Sequence, residues 1–182
     1  MKKSVMKKIA LPVSILFVLV ADVSPASASA SASATMAVSI TVASSLSFVI
    51  QSDASGLALT NSGTSAVTAA FGTMSAYGGT VPTGVTRTVN APTNWKVSTP
   101  FDAVIQVANQ TSSNYTLTAQ LASSDATNTW QIGSTTITSA SASTVTATGT
   151  YGNTAYTFNL TIPFSEAAGA ISNTVNFVAT AN

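Results

Sequence analysis

An all-β chain folded as an antiparallel sandwich is the class this sequence predicts, and three observations predict it. The first is a hydrophobic period of two. In residues 154–164, TAYTFNLTIPF, Tyr156, Phe158, Leu160, Ile162 and Phe164 take every second position, and Thr157, Asn159 and Thr161 fall between them. Successive side chains of a strand point to opposite faces, so this spacing sends one row to a core and the other to water. The second is punctuation: clusters such as SDASG, YGGTVPTG, NAPTN and TYGN part the apolar runs, and these are turn formers. The third is the lack of a helical period after residue 30, where SEAAGA (165–170) has room for one turn at most. Many short strands with regular turn signals make a sandwich or a barrel. A membrane barrel wants strands of ~9–11 residues and girdles of aromatics. With aromatics at 7%, a soluble sandwich is the better fit.

Taken from the N-terminus, residues 1–30 read as a secretory leader. Lys2, Lys3, Lys7 and Lys8 precede an apolar stretch from Ile9 to Ala21, and DVSPASASASASA follows. That is the basic, apolar and small-residue layout of a signal peptide, with A-x-A cleavage sites ending at Ala28, Ala30, Ala32 or Ala34. The apolar stretch is shorter than the ~20 residues needed to span a bilayer. The expected location is therefore secreted, periplasmic or cell-surface, with no membrane span left after cleavage. Residues 31–42 form an Ala/Ser-rich extension leading into a first strand, and residues 43–182 are expected to form one sandwich domain.

The strand candidates follow in order: residues 37–42, 46–50, 66–71, 85–89, 94–98, 101–107, 115–121, 129–132, 135–138, 144–148, 154–164 and 171–179. Phe101, Ala103, Ile105 and Val107 alternate in one strand, and Tyr115, Leu117, Ala119 and Leu121 in the next. The polar ANQTSSN between them reads as a hairpin loop. Pro163 is expected to close its strand, because proline has no N–H for a ladder.

Charge narrows the chemistry. Charged residues are 6% of the chain, against about 25% in an ordinary globular domain, and 27 Ser and 29 Thr supply the polar surface instead. Beyond the leader only Arg87 and Lys96 oppose Asp53, Asp102, Asp125 and Glu166. With no His and no Cys, metal sites built on imidazole or thiolate, Ser-His-Asp and Cys-His nucleophiles, and thiol redox chemistry have no material. Two cations cannot neutralise a run of phosphates, so a nucleic-acid partner is not expected. The four acids show neither the facing pair that acid–base hydrolysis needs nor a calcium-loop pattern. Asp53 and Asp125 read as turn caps. No enzyme activity, catalytic residue, cofactor or metal is therefore expected.

Two segments carry a family resemblance. Gly149 to Asn182 holds a long alternating strand, an Ala/Gly turn and a last strand reading GAISNTVNF from Gly169 to Phe177. This resembles the close of secreted Ig-like pilin and spore coat protein U type domains. Ser31 to Val42, small residues leading into MAVSITV, is similar to the extensions by which fimbrial subunits complete a neighbour's sheet by strand addition. The family's disulfide pair and C-terminal aromatic are missing here. The resemblance implies an Ig-like, Greek-key sandwich that serves as a structural or surface subunit. Its partners would be other copies of itself or other envelope subunits. Pairing of the first strand inside its own domain is the simpler alternative, and both readings stay open.

Four aromatics are candidates for a ligand platform. Trp95 (in PTNWKVS) and Trp130 (in TNTWQIG) could stack sugar rings, making the protein a carbohydrate-binding or adhesive module. Their phase with Val97 and Ile132 fits core anchors better. Tyr77 and Tyr151 stand beside turn glycines, where exposure is expected. Thr144, Thr146, Thr148 and Thr150 alternate and would line up on one strand as a row of hydroxyls; threonine on a solvent face is also ordinary β chemistry. Sequons begin at Asn109, Asn114 and Asn159. The function expected is an exported, non-catalytic structural or surface protein that self-associates through strand edges, with glycan binding as the alternative.

Overall fold

The computed structural model describes residues 33–41, 45–108 and 111–182. The leader, residue 42 and the sequon at Asn109 lie outside them. The chain divides into two units, Met1–Ile40 and Thr41–Asn182. In the first unit, residues 33–40 form no strand or helix and are exposed to solvent. The strand expected over residues 37–42 is therefore absent from its described part. Alternation there finds no ladder partner, and a strand is stable only when paired.

In the second unit nine strands form among the described residues: β1 (Ser45–Ser52), β2 (Thr86–Asn90), β3 (Asn94–Ala108), β4 (Tyr115–Leu121), β5 (Thr129–Ile132), β6 (Thr135–Ile137), β7 (Ser143–Gly149), β8 (Gly152–Pro163) and β9 (Val175–Ala181). A larger antiparallel sheet runs β1-β3-β8-β5-β6, with β2 also on β3, and a smaller one runs β7-β4-β9. The sheets pack face to face as a β-sandwich. Tyr115, Leu117, Ala119 and Leu121 alternate inward on β4, as their spacing requires, and Tyr115 and Leu117 meet Ile105 of β3. Burying a side chain of this size contributes roughly 1.5–3 kcal/mol.

Residues 94–98 and 101–107 belong to one strand rather than two. Trp95, Val97, Thr99, Phe101, Ala103 and Ile105 keep a single phase along β3. Pro100 does not break it because β2 pairs with β3 as far as Ser98 and β1 starts at Phe101, so the residue stands in the gap between them. Its carbonyl faces Gly56 there, and its missing N–H removes no ladder bond. The 101–107 and 115–121 strands are likewise not a hairpin. β3 and β4 lie in different sheets, and their apolar faces meet across the core.

The connection from β1 to β2 spans residues 53–85 and holds only isolated bridges, Ile50 with Thr64 and Thr60 with Thr68. The strand expected at 66–71 does not form, and Phe71 instead packs on Phe158. So long a segment is tolerated because it covers core that the short smaller sheet leaves bare. Leu57 is buried, and Leu59, Phe71, Met74 and Val85 lie against Trp95, Val97 and their neighbours. Thr99 fastens it: its hydroxyl accepts from Leu57 N (2.8 Å) and donates to Gly84 O (2.8 Å). Gly56 and Gly84 touch at this crossing, where a Cβ on Gly84 would sit 2.0 Å from the Gly56 carbonyl carbon.

Three further corrections come from register. The outward face of β8 was expected to be wet, yet Asn159 is buried, accepting from Ser98 Oγ (2.7 Å) and donating to Gly133 O (2.9 Å). The β5–β6 turn lies over it, which closes that sequon to modification. The threonine row on β7 is broken by register shifts against β4, leaving Thr144 and Thr148 exposed and Thr146 half-buried. The last strand starts at Val175, not 171, because Asn173 ties the preceding chain to Ser123.

Candidate functional site

The expected platforms separate into core and surface. Trp95 and Trp130 are 9% and 6% exposed, and neither offers a free ring face. Trp130 Nε1 donates to Asp125 Oδ2 at 2.8 Å. Tyr151 is half-buried, packed on Tyr115 and hydrogen-bonded through its hydroxyl to Ser112 Oγ and Asn114 O. Tyr77 is 66% exposed and lies nearly parallel to Phe164, with 5.7 Å between ring centres. No two of the four candidate aromatics form a stacked pair.

The acids stay apart in roles that serve the fold. Asp53 caps Ser55 through its N–H and hydroxyl, and these bonds hold its carboxyl below the usual range. Asp102 accepts from Asn153 Nδ2. Partial burial pushes the Asp125 carboxyl up, but donors from Asn128, Trp130 and Thr127 outweigh it, so the net direction is down. Deeper in, the Tyr156 hydroxyl is pushed well above its ordinary value by burial and by the Tyr115 hydroxyl at 3.2 Å. Among the described residues no three His, Cys, Asp or Glu side chains come together, and no helix is long and apolar enough to cross a membrane.

What the structure does bring out is a set of apolar side chains and backbone groups without partners among the described residues. Met36, Val38 and Ile40 are 85%, 78% and 83% exposed, every second residue of a segment that joins no strand. In the second unit, β9 is a sheet edge. Asn182 N bonds Asn114 O and Ala122 N bonds Thr174 O, so in this register Asn176, Val178 and Thr180 face β4. The N–H and C=O groups of Val175, Phe177, Ala179 and Ala181 then point away from it, since directions alternate along a strand. Phe177, Ala179, Leu46 and Phe48 are all half-buried, with Phe177 and Phe48 edge-to-face at 6.2 Å. The outer edge of β1 is partly taken, because Ile50 N bonds Thr64 O, Gly63 N bonds Ile50 O and Ser52 N bonds Ser62 Oγ. Neither β1 nor β9 carries a charged residue or a proline, the usual guards of an edge.

Two features here escaped the sequence reading. One is Arg87, whose Nη1 donates to Ser75 O (2.9 Å) and Gly78 O (2.5 Å) and so fixes the loop that carries Tyr77. The other is the free edge at Phe177. A lone basic residue in an alternating segment, TRTVN, followed the strand pattern and gave no sign of what it would hold. No family model matches the chain, and neither a curated protein nor a solved structure matches it.

Proposed function

We propose that this is an exported, non-catalytic structural protein of the envelope or cell surface that self-associates by strand pairing. The observation that supports the reading best is the exposed alternation of Met36, Val38 and Ile40 in a chain whose second unit has unguarded edges. Leaving three such side chains in water forgoes roughly 1.5–3 kcal/mol each. Added to the free edge of β9 on a second copy, the segment would gain backbone partners from Val175, Phe177, Ala179 and Ala181. It would also lay its apolar row beside the half-buried Phe177 and Phe48. β9 is the better acceptor than β1, whose edge is occupied from Ile50 onward. The basic leader supports export on the residues alone.

Sedimentation velocity on the mature chain tests this across a wide concentration range. The intact chain is expected to assemble, and Val38→Asp to stay monomeric. Ala179→Pro is the matching change on the acceptor side: it removes an outward N–H while leaving the β4 ladder intact, so it should also block assembly. A mature chain that stays monomeric at every concentration refutes the proposal, as does assembly that both variants retain.

A further inference from the structure

Tyr77 is the one exposed aromatic among the described residues, and the fold holds it still. Its ring lies nearly parallel to Phe164, with an interplanar angle of 13° and 5.7 Å between ring centres, so Phe164 backs part of the ring while two thirds of the residue, 66%, stays open to solvent. Arg87 clamps the loop through the carbonyls of Ser75 and Gly78, and the Ser75 hydroxyl donates to Tyr77 O at 2.7 Å. Gly78 and Gly79, with φ of 71° and 72°, supply the left-handed turn that lifts the ring. A mobile side chain at a loop tip would lose freedom on binding anything. A ring already fixed by stacking and a clamped backbone loses little, which is the advantage of preorganisation.

We propose that Tyr77 is the platform of a binding site for neutral saccharides, stacking on the C–H face of a pyranose ring. An aromatic face with a few polar groups around it is the chemistry such a ligand needs. The surroundings select against other classes. Residues 71–90 hold no acid and a single cation, Arg87, with its Nη1 bonded to loop carbonyls, and one cation cannot neutralise a run of phosphates. A proline-rich peptide docks between several aromatics, and only one ring is open here. Thr73 and Thr80 lie within four residues of Tyr77, are exposed, and supply hydroxyls for hydrogen bonds to sugar.

The site is independent of strand pairing and is best tested in the Ala179→Pro background, where avidity is removed. Depletion of the mature protein from solution by microcrystalline cellulose, chitin and peptidoglycan sacculi is the measurement. Retention on at least one of them is expected, with Tyr77→Ala weakening it roughly two- to tenfold, the range for one stacked aromatic contact. Tyr77→Trp should hold as well as or better than the parent. No retention on any of the three overturns the proposal. So does equal retention of Tyr77→Ala, or capture by an immobilised proline-rich peptide in place of the polysaccharides.

Discussion

Replacing Gly84 by valine is expected to destabilise the domain by about 3–5 kcal/mol, through two effects that add at one position. Gly84 has φ of 79°, in the left-handed region, where a side chain costs roughly 1–2 kcal/mol and a β-branched one more. Its Cβ would also fall 2.0 Å from the carbonyl carbon and oxygen of Gly56 and 2.5 Å from Leu57 N. Those are backbone atoms, so relief requires the crossing to open, and overpacking of this kind costs typically ~1–3 kcal/mol. Opening it would also pull Gly84 O from the Thr99 hydroxyl, which holds Leu57 as well. Gly63 separates the two effects. Its φ is 84°, but nothing lies within 4 Å of its would-be Cβ, so Gly63→Ala should show the conformational cost alone. Denaturant unfolding of Gly84→Val, followed by tryptophan emission, checks the magnitude, and Gly84→Ala against Gly63→Ala gives the comparison. Equal losses in the two alanine variants would mean that the crossing is not tightly packed.

That crossing was the part of the fold least legible in the sequence. Strands β4 and β5 could be bounded to the residue, because Tyr115 to Leu121 and Thr129 to Ile132 alternate strictly between polar flanks. β3 could not, because Pro100 is a breaker everywhere except at a gap between two neighbouring strands, and that gap exists only once β1 and β2 are placed. The partner of β3 is illegible for a related reason. Alternation says which side chains face a core but not which sheet a strand joins, and ANQTSSN is as able to cross between sheets as to turn back. Residues 53–85 failed most fully, since Ala66 to Phe71 alternate yet serve as a cover held by Thr99.

The candidate sites divide along the same line. The burial of both tryptophans follows from phase with Val97 and Ile132, which can be read directly. The hold on Tyr77 cannot, because Arg87 is twelve residues from Ser75 in sequence and Phe164 is on the far side of the chain. Low charge, by contrast, was visible from the start, and its consequence is structural. With Arg87 turned to the loop and Asp53 and Asp125 spent on caps, β1 and β9 carry only Ser, Thr, Asn, Gln and apolar residues, none of which discourages pairing. Strand addition and an uncharged saccharide surface are both chemistries that such a composition permits.

Trp130→Ala is expected to cost about 3–5 kcal/mol, the range for truncating a buried aromatic. Trp130→Phe separates packing from hydrogen bonding, because it keeps most of the ring in contact with Phe158 but deletes the Nε1 donor to Asp125. The carboxylate keeps the Asn128 and Thr127 donors and remains largely solvated, so losing this one charged bond should cost only about 1 kcal/mol at neutral pH. Acid provides the check. The Asp125 carboxyl is held below its ordinary value in the fold, so its contribution is present above the unfolded pKa of about 3.9 and disappears as pH falls through the lower folded value. The gap between Trp130→Phe and the parent should therefore be full at pH 7 and shrink in strong acid, whereas the larger packing loss of Trp130→Ala should persist. Unfolding midpoints read from the emission of Trp95 at both pH values decide it. A Trp130→Phe deficit that is the same in acid would show that the indole, not its bond to Asp125, holds the loop before β5.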